Sequence, residues 1–496
     1  MASTTPARAT ASKKGDEAIE LKTKLRATST TRVEGLPPRE QPREVREALQ
    51  LLLHPGCPAC RFCDHKDAKF FDWFEIEKYG QQPMVKAMRA SLGMCPAHTR
   101  QLVTNRSSWL LTTVYGYVVS AAVSRTDWTR ATCPACADAR WALQHVLGLI
   151  VPQIREPAVR KAYAQTGGFC LPHALAAIRS ASIEEAVVIA RTLLGQLEGA
   201  AVDDGVALVA GSDTDSALRH VHRQPVLETA EPGASTLGAL ADRLAGEACP
   251  ICNHACQTEH RYLEWLLSES LRHDTDGPAE ARGLCPSHVH DLTCLSVDAG
   301  IKAVGLQAAS AAAGIRRLLE EVEGLPPCDP VGRLQLAARA FGAPGSASKR
   351  PRRALAVGLA SRKQSYAAAR EIFVRRQPCP VCQVVVETER RSGDLLRIAL
   401  LDADVSDRYR RCHGVCVHHA ATIAGLAESA PVRERLHARL SLLGWELDEG
   451  VRKSAWQWRF EPPGPEADAW RRAITQLDGR AFLGSAGTRG GASEDT

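Results

Sequence analysis

Cysteine and histidine recur in one arrangement four times along the chain. Each copy has Cys-Pro-x-Cys, a spacer of 34, 33, 32 or 33 residues, and then Cys-x-x-His. Twelve of the seventeen cysteines belong to this arrangement, which excludes chance as its origin. In sequence order the four sets are Cys57, Cys60, Cys95 and His98; Cys133, Cys136, Cys170 and His173; Cys249, Cys252, Cys285 and His288; and Cys379, Cys382, Cys416 and His419.

Three thiolates and one imidazole are a ligand set that zinc prefers, and together they fill a tetrahedral shell. Because no position is left for water, the pattern indicates structural zinc and not the hydrolytic kind. The sequence therefore predicts up to four zinc ions, one for each set.

Two other chemistries use similar residues. An iron–sulfur cluster could take the same ligands, helped by the additional Cys63 or Cys256. Thiol redox chemistry of the thioredoxin type needs Cys-x-x-Cys in a βαβ pattern, and no strand pattern is evident here. Zinc is the preferred interpretation, and the iron–sulfur cluster remains an alternative.

The spacers indicate how the ligands are positioned. After each Cys-Pro-x-Cys comes a helical pattern, then a break, then a shorter helical piece, as in "DAKFFDWFEIEKYG" followed by "MVKAMRASLG". Proline after the first cysteine suits a first helical turn, and a glycine two residues before the third cysteine suits a left-handed helix end. We expect each set to be a helical hairpin that closes its own metal site, so the predicted fold is mainly α, with tandem zinc-stapled helical-hairpin units and disordered termini.

Composition and length place limits on the protein class. The 496 residues are 45% hydrophobic and include no uninterrupted apolar run of membrane-spanning length. The N-terminus lacks the apolar core of a secretory signal. We predict a cytoplasmic protein without a membrane segment, in which cysteines bind metal and do not form disulfides.

The four units divide the chain into two halves. The predicted segments are a disordered tail (1–47), metal-binding unit 1 (48–128), unit 2 (129–200), a linker (201–242), unit 3 (243–325), a basic insertion (326–376), unit 4 (377–440), a C-terminal segment (441–483) and a disordered tail (484–496).

Positive charge is concentrated in one segment. Residues 346–376 hold nine Lys/Arg and one Glu, about +8, so the rest of a +6 chain sums to about −2. Two segments are therefore candidate contacts for nucleic acid: Lys349–Arg376 and the "RKSAWQWRF" stretch, Arg452–Phe460. For the first segment, a solvated flexible linker is the slightly preferred interpretation. The preferred interpretation of the second stretch is structural, with Trp456, Trp458 and Phe460 buried in a short extended segment.

The paired "CPAC…GMCPAH" and "CPAC…GFCLPH" units resemble a bacterial and archaeal family known only as a domain of unknown function. The resemblance covers about residues 50–200 and 243–480. It extends to a C-terminal motif whose matching positions are Arg452, Lys453, Arg459, Phe460, Glu461, Trp470, Arg471 and Ala473. The first half lacks that motif, which is the pattern of a decayed duplicate. The resemblance implies no activity.

No nucleophile–base, phosphate-loop or paired-carboxylate signature is evident in the sequence. We therefore predict a non-enzymatic zinc-binding repeat protein that is a scaffold for a macromolecular partner, either nucleic acid or protein. The alternatives are a thiol-based redox or metal sensor that releases zinc on oxidation, and an iron–sulfur protein.

Overall fold

The computed structural model describes residues 41–104, 107–199, 202–211, 244, 246, 248–272, 283–323, 379–423, 430–458 and 460–479. The basic insertion 326–376, the C-terminal tail, residues 1–40 of the N-terminal tail and most of the linker lie outside these residues. The chain divides into Met1–Arg46 and Glu47–Thr496. Of the first unit the structure describes only residues 41–46.

The described residues form α-helices and two short 3₁₀ turns and contain no β-strand, which confirms the mainly α prediction. The helices of the first half are α1 (Arg43–Leu51), α2 (Pro58–Ile76), α3 (Gln82–Ser91), α4 (Pro96–Thr104), α5 (Ser108–Val123), α6 (Pro134–Gln153), α7 (Pro157–Gln165), α8 (Leu171–Ser180), α9 (Ile183–Gly199) and α10 (Val202–Ala210). Those of the second half are α11 (Pro250–Arg272), α12 (Pro286–Leu295), α13 (Val297–Glu323), α14 (Pro380–Ala399), α15 (Ala403–Arg411), α16 (Val417–Ile423), α17 (Ala430–Ser454) and α18 (Ala469–Leu477).

Two long helices pack antiparallel in each half. In the first half Phe62 of α2 lies 5.7 Å from His145 of α6 between ring centroids, and Lys66 lies over the ring of Trp141. The residue numbers rise along one helix and fall along the other, so the start of each helix lies toward the end of its partner. Helices α11 and α14 pair in the same way in the second half, where His254 and Ser392 are hydrogen-bonded at 2.8 Å.

Two further helix pairs join the halves. Helix α5 packs along α17, with Gly444 against Val119 and Gly450 against Thr112. Helix α9 packs against α13, where Arg316 and Glu198 form an ion pair at 2.6 Å. The apolar core accordingly includes residues of both halves, from α2, α3 and α5 to α14, α17 and α18.

Two predicted segment boundaries differ from the helices. The predicted polar linker begins with helix α10, whose Val209 and Ala210 are buried, because a short apolar stretch precedes the polar sequence. The predicted boundary between residues 440 and 441 falls inside the continuous helix α17. Among the described residues, no helix is long and apolar enough to cross a membrane.

Candidate metal centres

All sixteen predicted ligand residues gather into four groups of three cysteines and one histidine. In each group the candidate ligand atoms lie within 4.8 Å of one another. The groups are site I (Cys57, Cys60, Cys170, His173), site II (Cys95, His98, Cys133, Cys136), site III (Cys249, Cys252, Cys416, His419) and site IV (Cys285, His288, Cys379, Cys382).

The predicted partition of these residues was wrong. Each Cys-Pro-x-Cys pair meets the Cys-x-x-His of the other unit in its half and not that of its own unit. Site I combines the Cys-Pro-x-Cys of unit 1 with the Cys-x-x-His of unit 2. Site II combines the Cys-x-x-His of unit 1 with the Cys-Pro-x-Cys of unit 2. Sites III and IV repeat this crossed arrangement with units 3 and 4.

Unequal helix lengths explain the crossing. Helix α2 has 19 residues and the returning α3 has 10, so at 1.5 Å per residue the return is shorter by about 14 Å. Helices α6 and α7, with 20 and 9 residues, differ by about 16 Å. The returning chain therefore arrives at Cys95, or at Cys170 in unit 2, about 14–16 Å short of the Cys-Pro-x-Cys at which its unit began. The antiparallel partner helix begins at that level and supplies the missing two cysteines.

The ligand atoms have the spacing of a small tetrahedron. The nearest Sγ–Sγ separations are 3.6–3.8 Å in the four sites. The Sγ–Nδ1 separations are 3.1–3.6 Å, and Nδ1 is the nitrogen that faces the sulfurs in every case. A tetrahedral ion bound to sulfur at about 2.3 Å requires sulfur–sulfur edges of about 3.8 Å. The donor sets therefore fit one metal ion each.

Local helix geometry places the sulfurs. The N-cap position of a helix is occupied by Cys57, Cys133 and Cys379, and in each case the next residue is proline, as predicted. The N-cap position is also occupied by Cys170 and Cys285. The unpaired N–H groups there favour a thiolate. The glycines two residues before the third cysteine have φ of +95° at Gly93, +65° at Gly168 and +80° at Gly414, which confirms the predicted left-handed backbone at three of the four positions.

His98, His288 and His419 face a carboxylate with their other ring nitrogen. The Nε2–oxygen separations are 3.8 Å from His98 to Asp67, 2.9 Å from His288 to Glu259 and 3.7 Å from His419 to Glu389. Each carboxylate lies ten positions after the first cysteine of its unit (57 to 67, 249 to 259, 379 to 389). Unit 2 has Leu143 at this position. The sequence analysis missed these residues, although their constant offset was visible in the sequence.

The sites are electrostatically suited to a cation. Burial by itself would lower the pKa of His98, but Asp67 and the thiolates of Cys133 and Cys95 outweigh burial and raise that pKa to about 12. At site IV burial is likewise outweighed by Cys285, Cys379 and Glu259, and the pKa of His288 is raised to about 12. Both shifts show that the surroundings of these imidazoles favour positive charge, which a divalent ion would supply at the same place.

A tyrosine shapes the backbone just before two of the sites. The Tyr163 hydroxyl accepts a hydrogen bond from the Phe169 amide at 3.0 Å, and the Tyr409 hydroxyl accepts one from the Val415 amide at 3.1 Å. Each tyrosine is buried and lies seven residues before the third cysteine of units 2 and 4 (163 to 170, 409 to 416). Both bonds hold the glycine turn that presents the third cysteine.

The C-terminal segment covers site III. The chain after α18 reaches Gly479, which is buried against the site. A Cβ at Gly479 would lie 2.7 Å from Cys252 Sγ and 3.0 Å from Cys249 Cβ. Such distances require a shift of the neighbouring atoms, so this position accepts only glycine without disturbing a ligand. The site therefore depends on a segment 230 positions beyond its first cysteine (249 to 479).

The aromatic residues of the C-terminal motif are exposed, contrary to prediction. Trp456 is 71% exposed, Trp458 44% and Phe460 80%, and the segment is a turn after α17 and not an extended strand. The i, i+2, i+4 spacing was misleading because the helix ends at Ser454 and the chain then reverses toward α18. The polar neighbours are paired: Arg452 bonds to Glu449 and Glu461, and Lys453 to Glu466 at 2.8 Å.

The cysteines outside the sites are divided between core and surface. Cys63 and Cys256 are buried, Cys412 is half-buried and Cys294 is exposed. None of the described cysteines forms a disulfide. Cys328 lies outside the described residues, as does Lys349–Arg376, the first predicted nucleic-acid contact.

Comparisons with known proteins add no assignment. No protein-family model, curated protein or solved structure matches the chain. The resemblance to the uncharacterised family therefore stays a prediction.

Proposed function

We propose that the protein is a non-enzymatic zinc protein in which four Cys₃His sites fix a helical scaffold for a macromolecular partner. The observation that carries the proposal is the tetrahedral spacing of sixteen side chains in four groups. Structural zinc stabilises such ligand sets by on the order of 10 kcal/mol. Each site combines residues from both units of its half, so zinc would stabilise the packing of the two long helices there.

The spacing favours zinc over an iron–sulfur cluster. Nearest sulfurs are 3.6–3.8 Å apart, which matches ligands that share a single ion. A cluster interposes several iron and sulfide atoms among its cysteines and requires wider separations. Cys63 and Cys256, the two additional cysteines considered for a cluster, are not members of the four groups.

A structural role is also supported by the closed ligand shells. Each group supplies four protein atoms, so a tetrahedral ion has no open position for water or substrate. The four histidines are nearly fully buried, at 0–3% exposure. Catalytic zinc sites keep an exchangeable position, which these groups lack.

The exposed aromatic turn, residues 455–460, supports a protein partner more than a nucleic acid. Exposed Trp and Phe side chains are frequent anchors in protein interfaces. A nucleic-acid surface needs unpaired positive charge, whereas Arg452 and Lys453 are neutralised by three glutamates. The described part of the turn thus exposes aromatic side chains, and the cations that precede it are already paired.

One observation favours the redox-sensor alternative at particular sites. Sites II and IV each have two half-exposed cysteines, whereas all four residues of site III are buried. An oxidant therefore reaches sites II and IV first. In a sensor, stoichiometric peroxide would release about two zinc ions from these sites; in a structural protein, zinc release would need a large excess of peroxide.

Metal analysis of the purified, reduced protein tests the proposal. We expect four zinc ions per chain and no visible absorption. A brown protein that contains iron and acid-labile sulfide would favour the cluster, and a folded protein without metal would contradict both.

The partner is tested by replacing Trp456 and Phe460 together with serine. The double variant should no longer cross-link, in cells, to the proteins that cross-link to the wild-type chain. A Trp445→Ser variant is the matched control, because Trp445 is 63% exposed on α17 but lies outside the turn. Equal cross-linking by all three proteins would remove the turn from the interface, and nuclease-sensitive capture would indicate nucleic acid.

A further inference from the structure

A pocket of about 1040 Å³ lies among α15, α17 and α18. Leu244 and Gly246, which precede site III, also line it, together with Cys412 and His413. Its most unusual feature is its arginine content. Six arginines line this one space: Arg408, Arg411, Arg435, Arg439, Arg471 and Arg472.

Arginines outnumber carboxylates among the residues that line the pocket. Asp468 is the single carboxylate among its lining residues. It pairs with Arg472, which also pairs with Glu446 at 2.8 Å. Six arginines and one carboxylate thus line one pocket.

Arg439 occupies the most demanding position. Its Nε is buried and has no hydrogen-bond partner among the described residues. Burial, together with the charges of Arg435 and Arg472, lowers the pKa of Arg439. A buried guanidinium nitrogen without a partner is destabilising, because no hydrogen bond offsets the loss of its water. A bound anion would supply that hydrogen bond.

The other arginines are held ready by the fold. Arg435 Nε donates to the Cys412 carbonyl at 2.7 Å, and Arg411 Nε donates to the Asp407 carbonyl at 3.2 Å. The stem of each side chain is therefore fixed while further N–H groups remain for a ligand. Since a guanidinium has five N–H donors, one bond to a carbonyl does not exhaust it.

We infer that this pocket binds a ligand that carries two or more clustered phosphates. Arginine forks match phosphate oxygens in paired hydrogen bonds, and six arginines in one pocket suit a ligand with several phosphate oxygens better than a single monoanion. The volume is that of a small-molecule site and accommodates a nucleotide-sized compound. The pocket lies apart from the aromatic turn at the opposite end of α17, so this inference goes beyond the proposed scaffold role.

Site III supports the pocket structurally. Cys412 and His413 precede Cys416, and Leu244 and Gly246 precede Cys249, so metal binding joins two of the pocket walls. The third wall, α18, ends at Leu477, and Gly479 follows it against the same site. The ligand pocket and the metal site are thus built from the same three segments.

Isothermal titration of the full-length, zinc-loaded protein with sodium tripolyphosphate tests the inference. Tripolyphosphate should bind in the micromolar range, and inorganic phosphate at least tenfold more weakly. A parallel titration with ATP identifies the source: equal affinity indicates recognition of phosphates alone, and tighter binding of ATP indicates that the nucleoside is also contacted. Zinc content is measured after each titration to exclude chelation as the source of heat.

The matched variants are Arg439→Gln and Arg408→Gln against Arg433→Gln. Arg433 is exposed on the same helix as Arg439 and lines a different pocket. Arg439→Gln and Arg408→Gln should each weaken tripolyphosphate binding by about tenfold, and Arg433→Gln by less than twofold. Arg408 is exposed, so its replacement tests the pocket even if Arg439→Gln fails to fold.

Three results would overturn the inference. The first is the absence of tripolyphosphate binding at millimolar concentration to zinc-loaded wild-type protein. The second is equal weakening, or none, in the pocket variants and in Arg433→Gln. Much tighter binding of a single-stranded oligonucleotide than of either small phosphate would assign the arginines to a nucleic-acid surface and would also reject the small-ligand pocket.

Discussion

The histidine–carboxylate contacts show how single residues tune the metal sites. A carboxylate on Nε2 fixes the imidazole so that Nδ1 faces the sulfurs, and it increases the basicity of the ligand nitrogen. The contact is shortest at site IV, where Glu259 lies 2.9 Å from His288. Among the three carboxylate contacts, Glu259 should therefore contribute most to metal affinity.

Replacing Glu259 with glutamine should weaken zinc binding at site IV. Loss of such a partner lowers metal affinity by about 10- to 100-fold. Competition with a chromogenic chelator should show one of four zinc ions released more readily. Glu264→Gln is the control, because Glu264 is a half-exposed carboxylate of α11 that pairs with His260. Identical release curves for the two variants would refute a role for Glu259.

Gly479 provides a second residue-scale prediction. In a Gly479→Ala variant the new Cβ would press on Cys252 Sγ at 2.7 Å. We expect the zinc ion of site III to be released faster, while the other three zinc ions are released at an unchanged rate. Gly393→Ala on α14 is the control, since a Cβ there has nothing within 4 Å and should stabilise the helix by up to about 1 kcal/mol. Unchanged release from Gly479→Ala would show that the C-terminal segment does not cover the site.

At the scale of helices, the sequence predicted where elements begin better than how far they extend. Cys-Pro defines a helix start through local chemistry, and glycine defines a left-handed end, so both could be predicted from a few residues. The 20-residue length of α6 and the 9-residue length of α7 depend on packing against other helices. That difference in length decides which cysteines meet, because it is too large for a hairpin to close its own site.

The antiparallel pair α2–α6 should stabilise site II through Phe71. This residue is buried, and its ring lies 6.0 Å from the ring of His98. Phe71→Ala should lower the free energy of unfolding of the zinc-loaded protein by about 3–5 kcal/mol because it leaves a cavity beside the ligand. Chemical denaturation measures the change. Ile76→Ala, at a 71% exposed position of the same helix, should change stability by no more than about 0.5 kcal/mol. Equal effects of the two replacements would contradict this packing.

At the scale of the whole molecule, the sequence predicted the sixteen residues that gather into four groups, but not how they are partitioned. Four equivalent Cys-Pro-x-Cys pairs and four equivalent Cys-x-x-His pairs have the same local signals, so no motif specifies which meet. The choice is made by tertiary contacts, such as those between α2 and α6, that are distant in sequence. The exposed turn at Trp456 and the six-arginine pocket were invisible for the same reason.

Crossed ligation has a consequence for folding of each half. A unit that holds only its own four residues cannot complete a site, since every site takes two ligands from each of two units. The two units of a half should therefore bind metal and fold together. The same dependence would make separate expression of one unit yield metal-poor protein.

Cysteine accessibility in a Cys170→Ser variant tests the crossed arrangement most directly. Native alkylation with iodoacetamide, followed by peptide mass spectrometry and metal analysis, identifies which thiols lose their ion. The crossed arrangement predicts that the zinc content falls by about one ion per chain and that Cys57 and Cys60 become reactive. It also predicts that Cys133 and Cys136 stay protected. Reactive Cys133 and Cys136 beside protected Cys57 and Cys60 would contradict it.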